Sequence, residues 1–96
     1  EGVPRALALG RAQPNPFNPS AAIPVSLDRD GRFVLRVYRA DGTLVRTLFD
    51  GPGIAATYRF AWDGTDDRGS AVGTGVYFVT LESDSRRRVE KVTLLR

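Results

Sequence analysis

A chain of 96 residues with no cysteine and no histidine can form neither a disulfide nor a thiolate zinc site, and it lacks the usual general base. Its 42% hydrophobic content suits a single core, which at this size buries roughly 60–65% of the unfolded surface. The 14 basic and 11 acidic residues leave a net charge of +3, but the cations are dispersed, as on a solvated surface and unlike a nucleic-acid footprint.

The chain opens at Glu1 and contains no methionine, so a segment of a longer polypeptide with a domain upstream is expected. Nothing resembles a secretory leader, and no apolar run approaches the ~20 residues of a membrane span, so a soluble piece without membrane insertion is expected. Residues 1–12 read as a linker or a short first strand, with a brief alternation at Leu7 and Leu9, ahead of a single domain over 13–96. Gln13-Pro14-Asn15-Pro16-Phe17-Asn18-Pro19 follows. Proline fixes φ, lacks an N–H and keeps the preceding residue out of the helical region, so neither a helix nor a central strand runs through it. Phe17 is its one large apolar residue, which predicts a rigid strap pinned by a single ring.

Ile23, Val25 and Leu27 then alternate with small or polar residues at the period of a half-buried strand. Pro24 within that run predicts a sheet edge, or a proline nitrogen on an unpaired side. Asp28 to Gly31 reads as a turn, Phe33, Leu35 and Val37 as the next strand, and Asp41-Gly42 as a hairpin turn into Leu44, Val45 and Leu48. Gly51-Pro52-Gly53 reads as a break. Tyr58, Phe60 and Trp62 share one face of the following strand as a core wall, and the glycine- and aspartate-rich stretch from Asp63 to Gly75 reads as a long loop. Gly75 opens a strand carrying Tyr77, Val79 and Leu81, and a turn at Ser83-Asp84-Ser85 leads to a last strand, Arg87 to Leu95. The expected fold is all-β, an immunoglobulin- or fibronectin-type antiparallel sandwich of two sheets and about seven strands, with a small closed barrel as the alternative. Trp62 is placed between the sheets, and Tyr77 fits a tyrosine corner.

Little of the chain carries chemistry. Asp63, Asp66 and Asp67 concentrate carboxylates in a flexible loop, the material of a calcium site, although the spacing is not that of an EF-hand and turn chemistry is the alternative. As a glycosidase pair they lack the apolar pocket that raises a carboxyl pKa. Ser20, Ser26, Ser70, Ser83 and Ser85 have no histidine base and no nucleophile elbow. No catalytic or cofactor-binding residue is therefore assigned. Arg86-Arg87-Arg88, with Lys91 and Arg96 beyond, reads as a basic run that keeps an edge strand soluble. Asn18-Pro19-Ser20 is no glycosylation sequon, because proline holds the middle position. Tyr38 and Tyr58 are candidates for sugar stacking, but their strand positions favour packing.

Together, Pro14-Asn15-Pro16-Phe17-Asn18-Pro19-Ser20, Val37-Tyr38 before Asp41-Gly42, Leu44-Val45-Arg46-Thr47-Leu48, Trp62-Asp63-Gly64, Asp67-x-Gly69, Gly75-Val76-Tyr77-Phe78 and Lys91-Val92-Thr93-Leu94-Leu95-Arg96 resemble a known family. It is the FlgD-like Ig-like domain, named after the flagellar hook-capping protein, which overlaps with the C-terminal sorting domains of the type IX secretion system. The resemblance covers about Leu9 to Arg96. It implies a non-catalytic C-terminal sandwich appended to a larger secreted or cell-surface bacterial protein, acting in export, sorting or tethering. Lys91, Val92, Leu94 and Arg96 would belong to the terminal strand that a secretion machinery recognises. Two other roles are carried forward: an assembly module that pairs through exposed sheet edges, and a carbohydrate- or calcium-binding module on the Asp63–Gly75 loop.

Overall fold

Alternation of apolar and polar residues governs most of the chain, and in the computed structural model, which describes residues 2–18 and 20–96, it produces strands throughout. They are β1 (Ala8–Leu9), β2 (Ala21–Leu27), β3 (Gly31–Arg39), β4 (Leu44–Gly53), β5 (Ala56–Trp62), β6 (Gly75–Ser83) and β7 (Arg86–Leu94). Pro19 of the strap and Glu1 lie outside the described residues. Among those described there is no helix, and so none long and apolar enough to cross a membrane.

The strands form two antiparallel sheets, ordered β1-β2-β5 and β4-β3-β6-β7. The fold is thus an all-β two-sheet sandwich rather than a closed barrel. Each inner face is the one the period-two pattern marks. Ile23, Val25 and Leu27 of β2 meet Phe33, Leu35 and Val37 of β3, Tyr77, Val79 and Leu81 of β6, and Val92 and Leu94 of β7 in one buried cluster. Leu7, Leu9 and Ala12 belong to the same cluster. Of the β5 aromatics, Trp62 is fully buried, whereas Tyr58 and Phe60 are half-buried and close one flank around Phe33 and Phe49.

One local expectation fails and another holds only in its second form, both for identifiable reasons. Gly51-Pro52-Gly53 does not break the chain, because β4 continues through it opposite Gly31, Arg32 and Phe33. Gly53 lies beneath the Phe33 ring, where a Cβ would come within 2.5 Å of it, and Pro52 is tolerated on the edge strand of its sheet. The reversal falls instead at Ile54-Ala55, where the Tyr58 hydroxyl bridges the N–H and C=O of Ile54. Of the two placements expected for Pro24 only the edge fails, since β2 is the middle strand, while its nitrogen does lie on the side where β1, only two residues long, has already ended. Gly10 donates to the Pro24 carbonyl at 2.9 Å, and a Cβ on Gly10 would come within 2.6 Å of the ring. The last turn is also tighter than its sequence signals. Asp84 and Ser85 both adopt positive φ, 52° and 65°, so a two-residue turn brings Arg86 into the ladder opposite Ser83.

Candidate functional site: the sheet edges and their caps

The strap crosses from one sheet to the other. Gln13 exchanges backbone hydrogen bonds of 2.9 and 2.8 Å with Ala22 of β2. Four residues later Phe17 N–H donates to Thr93 O at 3.0 Å, and Leu95 N–H donates to Phe17 O at 3.1 Å, a parallel bridge on the outer side of β7. The Asn15 side chain extends the contact, its Oδ1 accepting from Thr93 N–H at 2.9 Å and its Nδ2 donating to Lys91 O at 3.4 Å. The peptide bonds before Pro14 and Pro16 are cis. Pro14, Asn15, Pro16 and Asn18 are exposed, while Phe17 is 1% exposed. Its ring lies 5.2 Å from that of Trp62, which in turn meets Tyr77 edge-on at 5.2 Å. Three of the motifs thereby share one aromatic stack.

Polar tips fix that stack. Trp62 Nε1 donates to Thr65 O at 2.9 Å, and the Tyr77 hydroxyl donates to Gly73 O at 2.6 Å, the tyrosine-corner geometry. Gly75 opens β6 opposite Leu94.

The Asp63–Gly75 loop performs at the opposite edge what the strap performs at β7. Asp67 N–H donates to Val45 O at 3.0 Å and Asp67 Oδ1 accepts from Thr47 N–H at 3.0 Å, which caps the outer side of β4. Its neighbours turn elsewhere. Asp66 Oδ1 accepts from the N–H groups of Arg68 and Ser70, each at 2.9 Å, and Asp63 Oδ1 accepts from the N–H and hydroxyl of Thr65. Arg46 joins the loop through Thr65 Oγ1, Asp66 O and an ion pair with Asp63 at 3.8 Å. Among the described residues no three carboxylates converge on one point. The Thr65 hydroxyl holds the Asp63 carboxyl below its usual range, and the Ser70 amide does the same for Asp66. Neither shift is toward the raised value a general acid needs.

The terminal strand is tied into this loop. Arg96 Nε donates to Val72 O at 2.7 Å, its Nη2 to Gly64 O at 2.6 Å, and its N–H to Thr74 Oγ1 at 2.9 Å. Gly64 has φ +76°, and a Cβ there would stand 2.7 Å from Arg96 Nη2. Val92 and Leu94 are wholly buried and Lys91 is exposed.

The basic run divides. Arg87 and Arg88 are exposed, as expected of an edge, but Arg86 is not a solubilising residue. Its Nη1 donates to Asp28 Oδ2 at 2.8 Å, joining the β2–β3 turn to β7 with side chains only 23% and 16% exposed. That hydrogen bond holds the Asp28 carboxyl below its usual range and raises the Arg86 guanidinium. No sequence pattern marks the pair, whose members are 58 residues apart. Arg46, Thr65 and the carbonyl contacts of Arg96 were equally unmarked, because each depends on which loop reaches which edge.

Comparison with known proteins follows the fold. The family model of the FlgD Ig-like domain matches residues 18–87. No curated protein matches the sequence. Among solved structures, FlgD from Xanthomonas campestris, described in connection with hook capping essential for flagellar assembly, is 29% identical with a TM-score of 0.61, covering 95% of this chain and 63% of that one. FlgD from P. aeruginosa is 23% identical with a TM-score of 0.61, covering 77% and 59%. Dimeric latent PorU from Porphyromonas gingivalis is 22% identical with a TM-score of 0.68, covering 88% of this chain but 9% of its own length. The chain therefore spans less than two thirds of each of these proteins. With most of its length matched by the family model, and with the two-sheet architecture to go with it, the chain belongs to the FlgD Ig-like domain family.

Proposed function

We propose that this Ig-like domain is a non-catalytic accessory module of a larger secreted or cell-surface bacterial protein, serving its export, sorting or tethering. The observation that carries the reading is the employment of the polar motif residues. Asn15, Asp63, Asp66, Asp67, Tyr77 and Arg96 all bond to neighbouring backbone and hold edges or loops in place. Such residues build a platform rather than a reaction site. The partners are the upstream domain of the same polypeptide and a secretion machinery or surface component that meets the outward side of the terminal strand at Lys91, with Val92, Leu94 and Arg96 holding that strand in place from within. Residues 1–96 fused to a reporter in a host with type IX secretion test this: surface display or release supports sorting, and a reporter held in the periplasm refutes it. The reading requires no cofactor. Excess calcium should leave the melting temperature unchanged, since a cation bound only by the native state would raise it.

A second reading, assembly between copies through exposed sheet edges, is favoured by β5, which ends its sheet with a seven-residue strand and has no neighbour on its outer side among the described residues. Light scattering across a concentration series separates the two, with a strictly monomeric domain at high concentration refuting assembly.

A further inference from the structure

The outer edge of β7 is capped over only part of its length. Thr93 bonds to the strap through both its N–H and its C=O. Alternation therefore turns the N–H and C=O groups of Arg87, Val89 and Lys91 outward too, while Arg86, Arg88, Glu90, Val92 and Leu94 pair with β6. Asn15 reaches Lys91 O, and the Arg88 guanidinium folds back onto Arg87 O. The Val89 N–H and C=O and the Lys91 N–H have no partner among the described residues. Val89 itself is 50% exposed, beside a shallow hollow it shares with Tyr38, Phe78 and Thr80 on the outer face of the sheet.

Charge decides what fits there. On that outer face the edge presents Arg87, Val89 and Lys91 in succession, a cation on each side of an aliphatic. Lys91 has no carboxylate partner among the described residues, and Arg87 has only Glu82 at 3.7 Å. A second copy adding antiparallel through Val89 would set Arg87 directly against the other Lys91, a destabilising like-charge pair. The outer edge of β5 offers one cation, Arg59.

We infer that the Arg87–Lys91 edge of β7 is a docking site for an extended, acidic segment of a partner protein, which adds as an antiparallel strand with an apolar residue opposite Val89 and carboxylates opposite Arg87 and Lys91. Backbone bonds to Val89 supply the attachment, and the flanking charge pairs supply the choice of partner and register. The inference does not rest on the export role, because it is read on the purified domain whatever a reporter does in cells.

The probe is a fluorescein-labelled peptide, Thr-Glu-Thr-Ile-Thr-Glu-Thr, followed by anisotropy against the 96-residue domain. Saturable binding is expected. Replacing both glutamates by lysine should weaken it by about tenfold, as two cross-strand charge pairs change from attraction to repulsion. Val89→Pro removes only an outward N–H, a position where edge strands accept proline, so it should leave folding intact and abolish binding. Arg87→Glu/Lys91→Glu should reverse the preference toward the lysine peptide. No saturable binding, equal binding of both peptides, or undiminished binding by folded Val89→Pro would each overturn the inference. So would self-association through this edge that excludes the peptide.

Discussion

Phe17→Ala tests whether the strap is a structural member or a surface ornament. The ring is 1% exposed and packs 5.2 Å from Trp62, while the backbone of the same residue holds both Thr93 and Leu95. Truncating a buried phenylalanine costs about 3–5 kcal/mol. Because the aromatic partner and the edge bonds depend on the same anchor, the upper half of that range is expected. In a domain whose total stability is about 5–15 kcal/mol, this is a large fraction. It lowers the melting temperature by roughly 16–32 °C for a 4 kcal/mol loss, at about 4–8 °C per kcal/mol for a chain of this size. Trp62 is the sole tryptophan and touches the deleted ring, so its fluorescence during urea unfolding reports the change directly. Asn15→Ala is the control, removing side-chain bonds but sparing the plug, with an expected cost of about 0.5–1.5 kcal/mol. A Phe17→Ala loss below about 1 kcal/mol would refute the account, since a well-packed buried ring cannot be removed so cheaply.

Three further outcomes follow from the loop and the carboxylates. Tyr77→Phe deletes the bond to Gly73 O while keeping the ring against Trp62, and should cost about 0.5–1.5 kcal/mol by urea unfolding; an unchanged midpoint would remove the tyrosine corner from the account. Gly64→Ala must hold a side chain at φ +76° and displace Arg96, so a loss of about 1–3 kcal/mol is expected, with faster amide exchange at Val72 if the Arg96 tether is what suffers. Acid should destabilise the domain in a definite window. The carboxyls of Asp28, Asp41, Asp63 and Asp66 are held low by Arg86, the Thr43 hydroxyl, the Thr65 hydroxyl and the Ser70 amide respectively. The unfolded chain takes up those protons near pH ~3.9, before the folded one does. The stabilisation is therefore complete above about pH 5 and lost as pH falls through the unfolded value and then the lowered folded values. Urea midpoints that stay flat from neutral pH down to about 2.5 would contradict this, and Asp28→Asn should flatten part of the slope.

What could be read in the sequence divides along the range of the forces involved. Alternation in β2, β3 and β6 is a local pattern imposed by the pleat, and it marked the inner faces correctly. Phe17, Trp62 and Tyr77 stood out because large aromatics amid prolines or glycines have nowhere to go but a core. Apart from the tight Asp84-Ser85 turn, the failures involve partners distant in the chain. Gly51-Pro52-Gly53 has the composition of a turn, yet its second glycine is there for the ring of Phe33, a fact that register alone reveals. Arg86 looks like its neighbours Arg87 and Arg88 until the β2–β3 turn brings Asp28 to it. Asp66 and Asp67 are adjacent and chemically identical, but one closes its own turn while the other crosses to Thr47. No spacing rule separates them.

The placement of the caps gives the motif series a physical logic. A two-sheet sandwich leaves edge strands whose free N–H and C=O groups invite further pairing. Here one motif covers β7 and another covers β4, the two edges of the same sheet. The strap suits this role because of what surrounds its bonding residues. Phe17 and Asn15 supply the contacts to β7, while Pro14 and Pro16 have no N–H to offer. A chain of that composition can close a ladder without becoming the template for the next strand, which an ordinary alternating segment in its place would be. The Asp67 cap achieves the same by contributing a single amide and one carboxylate oxygen rather than a strand. Both devices stop pairing locally and leave the rest of each edge unprotected. At β7 the unprotected stretch is the one bearing Arg87, Val89 and Lys91, so the boundary of the strap at Asn15 is also what defines the extent of the docking edge.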